Sequence, residues 1–372
     1  MRVSLLHENL SGGLKVVGRA VASRSTLPVL SHVLLSADGQ HLELSATDLD
    51  IGIVTEVAAN VEEPGSITVP ARLLADFVGT LPPERIDMVV DAKTQKLNLK
   101  CARFEANING FAAQEFPVLP AINDEDTSFE IAPDVLGRNV KRTIIAASTD
   151  VGRIVLTGIL FEVDGDTMTT SAADGFRLST CRTVMETDTG VRLSAIIPAR
   201  AMSELLRLEA AEPIKVTIGE TQAIFEADST RLVTQLINGR FPDVTQIIPK
   251  KCETRAVLDR TELLAQIKAL NVFAREVASI LQLAIGDGKV ALKATTVEYG
   301  GGNAEMSADI EGPDLEIAFN AGYLIDVLSV LDADQVALET TTTAAPGIVR
   351  AVGDDEFVHM LMPMHIADRG EG

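Results

Sequence analysis

Asp48 and Asp50 stand two residues apart in Thr47–Ile51 (TDLDI), and Asp174 opens Asp174–Leu178 (DGFRL). Carboxylates grouped this way could hold a divalent cation or share general acid and base roles. That is the chemistry of a metal-dependent nucleic-acid hydrolase. The histidines His7, His32, His41, His359 and His365 offer no ligand spacing to complete such a site. Cys101, Cys181 and Cys252 are odd in number and far apart, which disfavours a disulfide or zinc scaffold and fits a reducing cytoplasm. The Gly300–Gly302 run lacks a following Lys-Ser/Thr, so it reads as a flexible turn and not as a phosphate cradle. No metal, cofactor or catalytic residue is expected.

The elements that would position these aspartates repeat along the chain. Leu42–Asp48 (LELSATD), Met168–Asp174 (MTTSAAD) and Val290–Thr296 (VALKATT) align with Ala46, Ala172 and Ala294 spaced by 126 and 122 residues. A second landmark, a short apolar strand followed by an amphipathic helix, recurs in Ile67–Leu81, Ile196–Leu208 and Ile317–Leu331. Its Pro70, Pro198 and Asn320 lie 128 and 122 apart. A third, Phe-Pro near a domain's end, recurs in Gly110–Pro120 and Asn238–Pro249. The expected organisation is therefore three similar domains, 1–122, 128–250 and 254–367, followed by a tail at 368–372. Period-two alternation and the Asp-Gly turns at 38, 164 and 287 call for antiparallel strands, with two helices per domain on one face, an α+β fold. Asp48 and Asp174 occupy one repeat position that Thr296 fills in the third copy. A place repeated in the fold suits a turn better than catalysis.

The net charge of −21 argues at first sight against a nucleic-acid partner, but total charge does not fix its distribution. In the helix expected near Leu10–Ala22, Leu10, Leu14, Val17 and Val21 share one arc opposite Lys15 and Arg19. Near Asp134–Ala147, Val135, Val140, Ile144 and Ala147 face away from Arg138, Lys141 and Arg142. Met202 and Leu206 oppose Arg200 and Arg207. Arg72 opposes Leu73, Leu74 and Phe77, while Lys268 and Arg275 flank Leu263, Ile267 and Leu270. Basic helix faces in an acidic chain suit backbone-directed contact with duplex. With no Trp and only two Tyr, base stacking on single strands is poorly served. No run reaches the roughly 20 apolar residues of a membrane span, and no secretory signal is evident in MRVSLLHENL.

Arg24–Leu30 (RSTLPVL), TDLDI, Thr68–Arg72 (TVPAR), DGFRL, Asn238–Asp243 (NGRFPD) and Met362–Met364 (MPM), in this order and spacing, resemble the bacterial DNA polymerase III beta-subunit (sliding clamp) family over essentially the whole chain. The resemblance implies domains built as doubled βαβββ units, with sheets outside and helices inside, joined head to tail into a homodimeric ring. It implies a non-catalytic processivity factor that encircles double-stranded DNA without reading its sequence and tethers the replicative polymerase. It further implies that the polymerase III alpha subunit, the clamp loader, and other polymerases and repair proteins compete through short peptides for one pocket. On the matching positions that pocket comprises Leu156, Gly175, Phe176, Arg177, Leu178, Pro242, Ile247, Asn320, Tyr323, Met360, Leu361, Met362, Pro363 and Met364. Flexible thioethers suit a groove with several clients.

The same resemblance places Arg24, Arg72, Arg153 and Ile154 near DNA, and sets Ala106 and Ile108 of one protomer against Val272 and Phe273 of the other. Phe176, Ala173 and His365 depart from the family's usual His, Thr and basic residue, and Asp150 brings an acid to the DNA-side loop. Peptide preference is accordingly expected to differ. Two alternatives stay open on the residues alone, the hydrolase named above and a peptide-binding scaffold that ignores DNA. Location in the cytoplasm, at the nucleoid, follows from the family's role.

Overall fold

The computed structural model describes all residues except Ser23, Ile122, Asp124, Glu125, Glu209, Lys250, Val277, Val297, Tyr299 and 366–372, and describes only the backbone of Thr245. The expected domain ends at 122, 250 and 367 and the tail at 368–372 fall outside the described residues.

Among the described residues, seven α-helices punctuate a chain of antiparallel strands: α1 (His7–Val17), α2 (Ala71–Val78), α3 (Pro133–Thr143), α4 (Ala199–Leu205), α5 (Val244–Ile247), α6 (Arg260–Ala274) and α7 (Ala321–Val330). Three short hairpins recur where Asp-Gly steps were expected. In each, a Gly with φ near +60° to +70° (Gly39, Gly165, Gly288) takes the left-handed backbone a tight turn needs. Helix starts differ by repeat. Pro70 precedes α2 with no side-chain cap, whereas Asn320 Oδ1 accepts the N–H groups of Gly322 and Tyr323 and Asp259 caps α6 through Glu262.

The chain forms two compact units, residues 1–133 with 200–236, and residues 134–199 with 237–372. The first contains a five-stranded sheet and an eight-stranded sheet. In the latter, Ile51–Ala58 pairs with Thr230–Gln235, so that Gly52 faces Val233 and Ile53 faces Leu232. The second contains a nine-stranded and a four-stranded sheet. There Arg177–Val184 pairs with Phe357–Leu361, so that Leu178 faces Met360 and Ser179 faces His359. These two pairings occupy equivalent repeat positions. Each joins strands that belong to neighbouring repeats, which is why the compact units cut across the threefold sequence pattern. The third equivalents, Gly300–Ser307 and Phe104–Asn109, are each an edge strand of their sheet.

Each repeat also crosses its own sheet in the same way after its last strand. The N–H of Phe111 bonds Thr68 O (3.0 Å), that of Ile237 bonds Ile196 O (2.8 Å), and that of Met364 bonds Ala318 O (2.8 Å).

Helix faces follow the apolar periodicity with three corrections. α1 buries Leu10, Leu14 and Val17 as expected, and Lys15 is exposed. On α3 the buried stripe is Leu136, Asn139, Val140 and Thr143, shifted from the Val135–Ile144 arc. Asn139 is drawn inward because its amide bonds Val135 O and Thr183 Oγ1. That rotation takes Arg142 inside, against the expectation of an outward face. Leu73 and Leu206, expected to face in, are exposed; α2 is anchored by Ala71, Leu74 and Val78, and α4 by Ala201, Met202 and Leu205.

Candidate functional site

In the second unit one apolar cluster takes in three of the expected pocket residues, Leu156, Leu178 and Met360, whereas Leu361 is buried in a separate core against which Tyr323 packs. Because Leu178 faces Met360 across the paired strands, both enter one apolar cluster with Ala173, Ile196, Phe241 and Val244. Leu156 and Val155 from the 3₁₀ segment Val151–Thr157, with Leu160, Ile237 and Ile248, close around it. Beyond Leu361 the backbone is pinned on both sides. The N–H of Met362 donates to Phe176 O and that of Met364 to Ala318 O, both at 2.8 Å. The side chains of Phe176, Ile247 and Met362 are exposed, and bulky apolar groups without cover are a common signature of binding surfaces.

Arg177 is the brace of this groove. Its Nε donates to Asp174 Oδ2 (3.0 Å), its Nη1 to Asp326 Oδ2 (2.6 Å), and its guanidinium lies 4.1 Å from the Tyr323 ring centroid. Burial, reinforced by the Asp174 charge, pushes the Tyr323 hydroxyl up. Asp174 Oδ1 also accepts the N–H groups of Phe176 and Arg177, as Asp48 Oδ1 accepts those of Asp50 and Ile51. These aspartates therefore serve turns. Among the described residues no group of three metal-capable side chains comes together. Gly175 sits at φ +93°, a left-handed backbone that favours glycine. Asn320 is absorbed in capping α7, while Pro242 is exposed. Beneath the groove His359 Nδ1 is 2.7 Å from Ser179 Oγ, and burial lowers its pKa to about 3.

Phe241, Val244, Ile248 and Asp326 are members that sequence reasoning missed. The first three were visible as the apolar positions of FPDVTQII. Asp326 was not, since nothing local to α7 announces a partner 149 residues away.

The cationic side chains divide into two kinds. Lys15, Lys141, Lys268 and Arg24 are exposed and form no ion pair among the described residues. Most of the other arginines are already engaged. Arg19 reaches Glu204 (4.0 Å) and Arg207 O, Arg207 pairs with Glu204, and Arg200 pairs with Asp48. Arg72 meets Asp76 at 3.7 Å, Arg138 meets Glu356 at 3.5 Å, Arg153 meets Asp150 at 3.1 Å, and Arg275 meets Glu276 at 3.4 Å. Arg142 departs furthest from expectation. It is buried, 2.8 Å from Asp354, with its guanidinium 5.5 Å from the Phe357 ring centroid, and presents nothing to a ligand. Ile154 and Val151 project from the loop that carries Arg153.

Of the expected interface residues, Ala106 is half-buried and Ile108 buried on the edge strand Phe104–Asn109, whose Phe104 is exposed. Val272 is exposed on α6, and Phe273 packs beneath Gly302 of the other edge strand.

Three family models together cover nearly the whole chain: DNA polymerase III beta subunit, N-terminal domain (residues 1–120), central domain (130–243) and C-terminal domain (245–365). A "Beta sliding clamp" of Synechococcus elongatus is 30% identical over 98% of this chain and 100% of its own length. Among solved structures, the DNA polymerase sliding clamp of Bacillus subtilis aligns with a TM-score of 0.93 at 26% identity, covering 98% of this chain and 99% of that one. The Pseudomonas aeruginosa sliding clamp bound to griselimycin aligns with a TM-score of 0.92 at 31% identity, covering 98% and 100%. The fold thus has a counterpart over nearly the whole of both solved structures.

Proposed function

This chain belongs to the DNA polymerase III beta-subunit family and is a DNA sliding clamp, and from that premise we propose how its residues divide the work. Clamps encircle duplex DNA and tether the polymerase, so affinity comes from topology and the lining must not grip. The unpaired Lys15, Lys141, Lys268 and Arg24 are the phosphate contacts we assign, with Arg153 and Ile154 approaching the duplex from their loop. Arginines held in ion pairs (Arg19, Arg72, Arg138, Arg200, Arg207, Arg275) lend a weaker, fixed positive field. Lysine is a hydrated point charge on a flexible stem, which suits contacts that form and break along a moving backbone. The protein carries out no catalysis in this scheme, and works in the cytoplasm with the three repeats, 1–122, 128–250 and 254–367, as its domains.

The ring closes by repeating the pairing seen twice within the chain. Gly52 faces Val233 and Leu178 faces Met360; the equivalent positions on the two edge strands are Gly301 and Asn107. The register we infer between protomers puts Gly300 against Ile108, Gly302 against Ala106 and Ala304 against Phe104. That last pair would cover the exposed Phe104, with Val272 and Phe273 packing alongside. Two edge strands of matching repeat position are the observation that carries this reading.

The groove of Leu156, Leu178, Met360 and Met362 is our site for short extended peptides of the polymerase III alpha subunit, clamp loader, and other polymerases and repair proteins. Phe176 in its rim favours clients with an aromatic or long aliphatic residue. The deciding assay loads the protein on nicked circular DNA and then linearises it. Retention on the circle and loss from the line is the expected result. Persistence on linear DNA with free ends would sink topological binding.

A further inference from the structure

We propose that the outer face of the four-stranded sheet is a second, separate peptide-docking site, for an extended segment carrying a basic, an apolar and an acidic residue at alternate positions. After its last strand, each repeat lays the chain on its own sheet through the same backbone bond. In the first, the segment that follows buries Phe116 against Leu34, with Val29 and Leu30. In the second, Phe241 and Val244 are buried near Leu160 and Ile196. By strand register the counterparts of Leu34 and Leu160 in the third repeat are Gln282, and the counterpart of Ile196 is Ala318. The apolar floor that receives the chain's own phenylalanine twice is here replaced by small and polar residues.

The replacement leaves a trough of about 320 Å³. One cross-strand row reads Glu316, Ala284, Ala291, Glu305, and the next reads Ala318, Gln282, Lys293, Asn303. Ala284 and Ala291 leave room at the centre for one branched side chain. Glu305 accepts from Lys289 Nζ at 2.9 Å, whereas Glu316 and Lys293 are exposed and form no ion pair among the described residues. With strands about 4.8 Å apart and residues about 3.4 Å apart, these two free charges stand roughly 12 Å from each other. Four residues of extended chain span that distance, which sets the order basic, apolar, acidic at positions i, i+2 and i+4. The trough shares no residue with the methionine-lined groove, so a client could hold both.

The test uses the full chain and a fluorescein-labelled seven-residue peptide with Arg second, Leu fourth and Glu sixth among threonines, read by anisotropy. Glu316→Lys and Lys293→Glu should each weaken binding about tenfold, and Ala284→Trp should abolish it. The double variant Lys293→Glu/Glu316→Lys should prefer the peptide with Arg and Glu exchanged, a reversal that misfolding cannot produce. Equal binding of both peptides to the unmodified chain, binding indifferent to Ala284→Trp, or no binding would overturn the proposal. So would binding that appears only after residues 366–372 are removed, since the chain's own end would then be the occupant.

Discussion

Arg177 stacks its guanidinium on the ring of Tyr323 while holding Asp174 and Asp326 on two of its nitrogens. One side chain thereby ties the 174–177 turn to α7 and braces the groove proposed for peptides. Arg177→Ala strips the countercharge from Asp174, which is nearly buried, and should cost about 2–3 kcal/mol, Asp326 being half exposed and screened. Arg177→Lys keeps the charge but loses the planar stack. Urea denaturation should rank the two, and titration with a fluorescein-labelled short apolar peptide, on the peptide site proposed above, should show weaker binding to both. Undiminished peptide affinity with lost stability would separate Arg177 from the groove.

In the proposed ring, closure rests on two edge strands. Val272→Glu and Ala106→Glu place charge where the proposed interface is apolar, on side chains that are exposed or half-buried in the protomer. Sedimentation equilibrium should give the monomer for either variant with unchanged far-ultraviolet dichroism. A dimer that survives both would refute the assigned edges.

The free lysines make a distinct prediction about salt. Removing one lysine–phosphate interaction should flatten the slope of log affinity against log salt by about 0.9. The triple variant Lys15→Ala/Lys141→Ala/Lys268→Ala, measured on short duplex, should flatten it by about 2.7 while still being retained on circular DNA. Arg142→Met should leave the slope alone. It should instead lower stability by about 3 kcal/mol, because Asp354 loses its partner.

His359 links stability to pH. Its folded pKa is about 3 against 6.5 unfolded, chiefly through burial, so between those values the unfolded chain binds the extra proton. The stabilising contribution is complete above pH 6.5 and is lost as pH falls toward 3. The loss is about 2 kcal/mol between pH 7 and pH 5. His32, also held low by burial, adds in the same direction. Denaturant midpoints for His359→Asn should therefore fall less steeply with acid than those of the parent chain, and parallel curves would reject the assignment.

How far these features could be read from the residues depended on whether their causes were local. The repeat, the Gly-closed hairpins and the stripe of α1 are properties of nearby residues, and periodicity found them. So did the apolar line-up of the groove, once the DGFRL and MPM segments were set together by resemblance. Arg142 could not be placed, because its burial is decided by a turn at 352–356 that reaches α3 only in the fold. The ion pairs that occupy most arginines were hidden for the same reason. A helical wheel shows which way a cation points but not which carboxylate arrives to meet it.

The sheet that runs from Ile51–Ala58 into Thr230–Gln235 also sets a timetable for synthesis. The first compact unit is not closed until residues 200–236 have emerged. At about 5–20 residues per second, the ribosome leaves the Ile51–Ala58 edge open for roughly 10–35 s. A nascent chain in that interval has a strand searching for its neighbour, and cover by a chaperone would matter most then. Slow codons between the two strands should accordingly raise aggregation, whereas the same codons placed after residue 236 should do so less.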